Sequence, residues 1–244
     1  MNKSFLRRGM RTAIAAAMLV PLTAVFGGAT ASAAPQWSTP GAVFVGTNHN
    51  NSSDPSQPAN QIAYYHRAAD GKLTLVGSFA TGGEGSGPGQ RFAGDGLGAG
   101  NSVRVTTDRR FLLVTNAGSN TLSVLCIRPD RLDLVDVVPT GDGSASQRFP
   151  NSVTQHGDTV YVLNAAGQGS ITGFRLGLTG KLTPIPGSTR ELGANQDRFA
   201  PDALKDPTQV AFSPDGRHLL VSIKDGARPT TSSPARTRPV RVAC

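Results

Sequence analysis

A short strand, a tight turn and a second, apolar strand recur along this chain, and that repetition constrains the fold before any single residue is considered. The clearest copy runs from Ala211 to Val221 around Ser213, Pro214, Asp215, Gly216 and Arg217. Equivalent units occupy residues 101–116, turning at Asp108 to Arg110, and 151–164, turning at His156 to Asp158. Val114, Val162 and Val221, each in the middle of an apolar strand, lie 48 and 59 residues apart, and Val45 precedes Val114 by 69. A four-stranded propeller blade takes roughly 40 to 50 residues. The spacing therefore predicts an all-β propeller whose excess length lies in loops.

Alternation and turn chemistry divide the chain into blades. Strands are expected over Ala42 to Thr47, Gln61 to His66 and Lys72 to Ala80, a first blade without an inner strand. Asn101 to Thr107, Phe111 to Asn116, Thr121 to Arg128 and Arg131 to Pro139 make a complete second blade. Asn151 to Gln155, Thr159 to Asn164, Ser170 to Arg175 and Lys181 to Ile185 make a third, and Thr208 to Ser213 with Leu219 to Ile223 start a fourth. From Ala227 to Cys244 there are three prolines and no Leu, Ile or Phe, so the expectation there is a basic, disordered tail that supplies no outer strands. Roughly three blades plus part of a fourth make an incomplete ring, since closed propellers use about four to eight. The pattern reads as the front half of a longer propeller, with open sheet edges through which the chain could self-associate.

Residues 1–33 have the form of a secretory signal: Lys3, Arg7, Arg8 and Arg11 without an acid, an apolar stretch from Thr12 to Phe26, and Ala31, Ser32, Ala33 as a small-residue cleavage site. The apolar stretch is too short for a stable membrane anchor. The expected product is an exported propeller over residues 34–226. The formal charge is +8, but four of the basic residues lie in the signal and four more, Arg228, Arg236, Arg238 and Arg241, in the tail. The propeller itself is neutral, which argues against nucleic acid and membrane as partners. Of the two cysteines, Cys126 falls in an alternating strand and reads as a small buried hydrophobe, and a bridge to Cys244 would need geometry that a tail does not preset.

The hairpin Phe212, Ser213, Pro214, Asp215, Gly216 and the strand ends Val114, Thr115, Asn116 and Val162, Leu163, Asn164 resemble those of the lactonase-like seven-bladed β-propellers, relatives of phosphogluconolactonase and carboxymuconate-lactonizing enzyme. The resemblance covers about residues 41–226 and implies the fold. Family members usually carry a histidine after a proline at the start of an inner strand and a glutamate after a strand-ending asparagine. The corresponding places here hold Asn101, Asn151 after Pro150, Gln209, and Ala165 after Asn164. The acid and base that the resemblance would bring are absent from these positions.

The candidate ligand site lies in the loops leading into the inner strands, where Gln90, Arg91, Phe92 is echoed by Gln147, Arg148, Phe149 and by Gln196, Asp197, Arg198, Phe199. Pseudo-symmetry would carry Arg91, Arg148 and Arg198 toward the channel axis, and guanidinium groups grip carboxylates bidentately. An anionic small molecule or sugar is the expected partner. The competing reading pairs each arginine locally with Asp95, Asp142 or Asp202 and wedges each phenylalanine between blades. The glycines of Thr81 to Gly100 lack the lysine of a phosphate loop and suggest a mobile rim loop. His49, His66, His156 and His218 show no metal spacing, so no metal or cofactor is expected. No serine sits in a nucleophile elbow. The sequence thus favours a noncatalytic binding or scaffold module, with a lactonase or related cyclase/hydrolase acting on an anionic lactone as the alternative.

Overall fold

The structure is a computed structural model that describes residues 41–87, 96–197, 201–202, 204–224 and, as backbone only, 238–241. It consists of consecutive antiparallel sheets. Blade one is β1 (Gly41–Gly46), β2 (Gln61–Arg67) and β3 (Leu73–Ala80), paired in that order. Blade two follows with β4 (Val103–Val105), β5 (Phe111–Asn116), β6 (Thr121–Ile127) and β7 (Leu132–Pro139). Blade three holds β8 (Pro150–His156), β9 (Thr159–Asn164), β10 (Ser170–Leu176) and β11 (Leu182–Pro184), with β12 (Arg190–Glu191) pairing β10 further along. Blade four is β13 (Pro207–Phe212), β14 (His218–Ile223) and β15 (Arg238–Arg241).

The last strand corrects the expectation for the tail. Arg238–Arg241 runs antiparallel to β14, with Pro239 opposite Leu220, where a featureless segment was expected. A proline is tolerated there because β15 is an edge strand with one side free of ladder bonds. The short β12 was likewise not legible in the sequence.

Successive residues of each central strand point to opposite sheet faces, and here the two faces belong to two different cores. From β5, Leu112 and Val114 pack with Phe44, Ile62 and Tyr64 of blade one, whereas Phe111 and Leu113 pack with Val153, Val160 and Val162 of blade three. From β9, Val160 and Val162 face blade two, and Tyr161 and Leu163 face Val210, Leu219 and Val221 of blade four. This two-sided burial is why β5 and β9 read as continuous apolar runs. Among the described residues the apolar clusters join blades one to two, two to three and three to four, and none joins four to one.

The turn of the repeat has a physical basis. Asp215 Oδ1 accepts the Ser213 hydroxyl and the Arg217 amide, and Asp108 Oδ1 accepts the Thr106 hydroxyl at 2.7 Å and the Arg110 amide at 3.1 Å. The residue after each aspartate is left-handed, Gly216 at φ 70° and Arg109 at φ 59°. A Cβ on Gly216 would also lie 2.3 Å from the exposed His156 ring, which would have to move aside, so glycine is favoured there. These bonds, the hydroxyl donors foremost, hold both carboxyls below the ordinary carboxylate value.

A depressed carboxyl contributes stability above its unfolded value and loses it as pH falls through the folded one. The urea midpoint should therefore fall as pH drops below about 4. In an Asp108→Asn, Asp215→Asn double variant that fall should be smaller, which unfolding curves between neutral and strongly acidic pH would measure.

Candidate functional site

In blades two, three and four the second strand ends, and the loop from the preceding blade arrives, on the same rim. The strand-ending asparagines latch neighbouring blades together at this rim. Asn116 is fully buried: its Oδ1 accepts Asn60 Nδ2 at 2.9 Å and the Thr81 hydroxyl at 2.7 Å from blade one, and its Nδ2 reaches Thr121 and Ser123 in its own blade. One repeat later, Asn164 Nδ2 donates to the Thr140 carbonyl of blade two and to Ser170 Oγ. Thr81 and Thr140 occupy matching places after the last strand of their blades. Asn116 and Asn164 are thus structural ties, a role that the sequence pattern marked without revealing.

The glycine-rich segment after Thr81 is bonded rather than loose over its described part. Gly85 and Gly87 amides donate to the His49 and Asn48 carbonyls, Asn50 Nδ2 to the Gly85 carbonyl, and the Gly118 amide to the Glu84 carbonyl. A Cβ on Gly85 would sit 2.3 Å from the Asn48 carbonyl carbon, and one on Gly118 2.1 Å from the Gly85 oxygen. The glycines permit three backbones to touch, a packing reason and not a phosphate-binding one. Glu84 accepts the Asn51 amide at 2.9 Å, which accounts for the polar insertion around His49.

Of the arginine set, Arg91 and Arg198 lie outside the described residues. Arg148 is half-buried on the rim, and its Nε donates to the Gly143 carbonyl at 2.8 Å. The 3-10 turn Ala145–Gln147 before it is pinned by Asp142 and Gln147: Asp142 Oδ1 accepts the Ser144 amide and Gln147 Oε1 the Asp142 amide. The Ser144 bonds hold the Asp142 carboxyl below its ordinary value. Among the ion pairs of the described residues none joins Arg148 to Asp142, and Asp202 pairs with Lys205 at 3.9 Å.

The positions singled out by resemblance are occupied structurally. Asn101 is left-handed at φ 65° and its carbonyl accepts the Val153 amide. Asn151 falls in a bulge just after Pro150, is fully buried, and donates from Nδ2 to the Pro207 carbonyl at 2.8 Å. Ala165 is fully buried. The same bulge recurs after Pro207, the opening proline of blade four.

Two residues of this rim went unnoticed in the sequence. Asp206, immediately before Pro207, is 1% exposed, and its Oδ1 lies 3.5 Å from the ammonium of Lys224, whose side chain is 33% exposed. Lys224 stands three residues after Val221, as Ala165 does after Val162, so aligning the repeats would have found it. The ammonium also donates to the Gly98 carbonyl at 3.2 Å, which accepts the Thr208 hydroxyl as well. A Cβ on Gly98 would come within 2.5 Å of Asp206 Oδ2. The loop between blades one and two therefore reaches blade four, tied there by the Lys224 and Thr208 bonds to the Gly98 carbonyl and by the Gly100 amide bond to the Thr208 carbonyl.

At the far end of the sheets, a cleft of about 350 Å³ between turns of blades two and three is lined by Arg109, Arg110, Arg128, Asp133 and Cys126 among others. Cys126 packs on one side against the core as the small apolar side chain expected, but is only half-buried. Arg128 and Arg131 both bond Asp133, and Arg110 bonds the Leu178 carbonyl. Cys244 lies outside the described residues. His66 Nε2 donates to the Pro129 carbonyl at 2.6 Å, and the His156 ring meets Phe212 at 5.6 Å in a tilted contact. Among the described residues no three His, Cys, Asp or Glu side chains converge as metal ligands.

No family model and no curated protein matches this chain. Solved structures similar to it include a protein of unknown function from Desulfotomaculum acetoxidans, at 21% identity over 67% of this chain and 47% of that one, TM-score 0.44. The periplasmic gluconolactonase of Pseudomonas aeruginosa is 17% identical over 82% of this chain and 67% of that one, TM-score 0.43. A putative 6-phosphogluconolactonase from Bacteroides fragilis is 15% identical over 67% and 57%, TM-score 0.35. The chain spans about half the length of the first of these. Proteins named as lactonases are therefore among the folds that it resembles.

Removing the Asn116 side chain strands buried partners on two blades, each costing about 1–3 kcal/mol. Asn116→Ala should lower the unfolding free energy by about 2–4 kcal/mol, and Lys224→Met, which takes the ammonium from a buried carboxylate, by about 3 kcal/mol or more. Denaturant titration of the two variants beside wild type measures both.

Proposed function

We propose that this chain is an exported propeller-type binding module that takes an anionic small molecule or acidic sugar at its rim, without turning it over. The observation that carries the reading is the state of the resemblance positions. Asn151 has its amide bonded to the Pro207 carbonyl, Ala165 has no polar group, and Asn101 has its carbonyl bonded within the fold. General acid–base chemistry needs a titratable side chain within reach of the reacting atom, and none of these three side chains titrates. Recognition of a carboxylate needs only positioned donors, and the repeated arginines Arg91, Arg148 and Arg198 supply the type best suited to it.

Export is supported by the basic, apolar and small-residue succession of residues 1–33. No helix among the described residues is long and apolar enough to cross a membrane. The alternative reading is a lactonase or related hydrolase of an anionic lactone, favoured by the same arginines, with its acid and base placed elsewhere in the chain.

Two measurements separate the readings. Calorimetric titration with gluconate and with muconate should give saturable heat, and single Arg91→Ala, Arg148→Ala and Arg198→Ala variants should each weaken binding about tenfold or more, as expected for loss of a charge-assisted contact. A pH-stat assay of the corresponding lactones should show ring opening at the buffer rate. Binding heat unaltered in all three variants, or absent from wild type, overturns the arginine site. Ring opening well above the buffer rate establishes the hydrolase reading instead.

A further inference from the structure

The same turn joins the first two strands of blades two and four. It is closed by the Thr106 amide on the Phe111 carbonyl in one and by the Ser213 amide on the His218 carbonyl in the other. At its left-handed place blade four has Gly216, at φ 70°, whereas blade two has Arg109, at φ 59°. A side chain is disfavoured in this region, and arginine lacks the short polar group with which asparagine offsets the cost. The fold itself makes no use of the group: the Arg109 guanidinium is exposed and has no hydrogen bond or ion pair among the described residues. An arginine held against its backbone preference with no internal partner points to a role outside the fold.

Arg109 lines the cleft of about 350 Å³ between the turns of blades two and three, a volume at the lower end of the roughly 300–1,000 Å³ of small-molecule sites. The walls of the cleft are fixed. Arg110 Nη2 donates to the Leu178 carbonyl at 2.8 Å, and its guanidinium lies 5.0 Å from the centre of the Phe111 ring. Gly180 packs on that ring, where a Cβ would come within 2.7 Å, and Lys181 Nζ donates to the Val135 carbonyl at 2.7 Å. The floor is apolar, made by Phe111, Cys126, Ile127 and Val135, and exposed arginines stand at the edge. The nearby carboxylates Asp108, Asp130 and Asp133 each have Arg110, Arg128 or Arg131 within 3.9 Å, so Arg109 is the charge left over. We propose that this cleft is a second ligand site, for a small carboxylic acid with an apolar body. Its carboxylate meets the forks of Arg109 and Arg110, the geometry that guanidinium groups match bidentately, and its body covers the floor. The site lies at the end of the sheets opposite the rim and does not rest on the ligand proposed there.

Calorimetric titration of the full chain with phenylacetate and with hexanoate should give saturable binding, and phenylacetamide, which lacks the charge, should bind about tenfold more weakly or worse than phenylacetate. Arg109→Gly should weaken phenylacetate binding about tenfold or more while leaving the urea midpoint at or above that of wild type, because glycine suits the left-handed turn. Arg110→Gln should weaken it as well, and Arg190→Gln, which removes the same charge from β12, should not. Saturating gluconate should leave phenylacetate bound. Cys126 reports the location: its alkylation by iodoacetamide, read from the mass of its peptide, should slow when phenylacetate is present. Failure of both acids to bind, equal affinity for phenylacetamide, or unaltered affinity in Arg109→Gly or Arg110→Gln overturns the proposal. An equal loss in Arg190→Gln reduces the effect to overall charge and overturns it too. Displacement by gluconate, or Cys126 alkylation unaltered by phenylacetate, places the acid elsewhere. A Cys126 inert to iodoacetamide in the free protein shows the cleft closed to a molecule of that size, which also overturns the site.

Discussion

Face-to-face packing between consecutive sheets is the constraint on which the rest of this structure depends. A blade of three or four strands has too little apolar area on one face to offset the entropy of ordering it, and a lone sheet would leave both faces wet. Stacking solves this only when the central strands are apolar on both sides, as β5 and β9 are from Phe111 to Val114 and from Val160 to Leu163. The outer strands have no such requirement. Lys181 and Asp136 can pair at 3.2 Å near the sheet margin because the apolar demand ends before it reaches them.

Apolar faces do not set the angle at which two blades meet or the depth at which one slides past another. Directional contacts at the rim do. Asn116 bonds two residues of blade one and two of its own, and Asn164 repeats part of the arrangement with Thr140 and Ser170. Burying the Asn116 amide is tolerable because both its ends are bonded, to partners on two blades, whereas Asn164 has only its Nδ2 bonded and its buried Oδ1 without a partner. The left-handed residues at the other end, Arg109 and Gly216, serve the hairpins in a more local way, bringing Asp108 and Asp215 onto backbone amides.

Strands and turns were legible in the sequence because each follows from neighbours: alternation from adjacent side chains, the turns from an aspartate two residues after a serine or threonine. The blade count followed from the spacing of Val45, Val114, Val162 and Val221. What could not be read were contacts between residues far apart in the chain. Gly98 meets Asp206 and Lys224 across more than a hundred residues, and nothing local to a loop glycine announces a buried carboxylate above it. The glycines of Thr81 to Gly100 were legible as unusual but not as close-packed, because the backbones that meet at Gly85, those of Asn48 and Gly118, come from other loops. The strand at Arg238–Arg241 was hidden for a different reason. Its pairing is backbone to backbone along an open edge, which places little demand on side-chain pattern, so a proline- and arginine-rich composition pointed away from it.

The rim carries many polar groups, few of them uncommitted. Much of its polar inventory serves the fold: the Asn116 amide ties blades, Asn151 holds a carbonyl of blade four, and Lys224 neutralises Asp206 while drawing in the 97–100 loop. Groups committed in this way are preorganised, and a ligand that displaced them would have to replace bonds already made inside the protein. A guanidinium differs, because it carries five donors in a planar fork and can satisfy the fold and a ligand together. Arg148 gives its Nε to the Gly143 carbonyl, so this guanidinium already serves the turn that leads into β8.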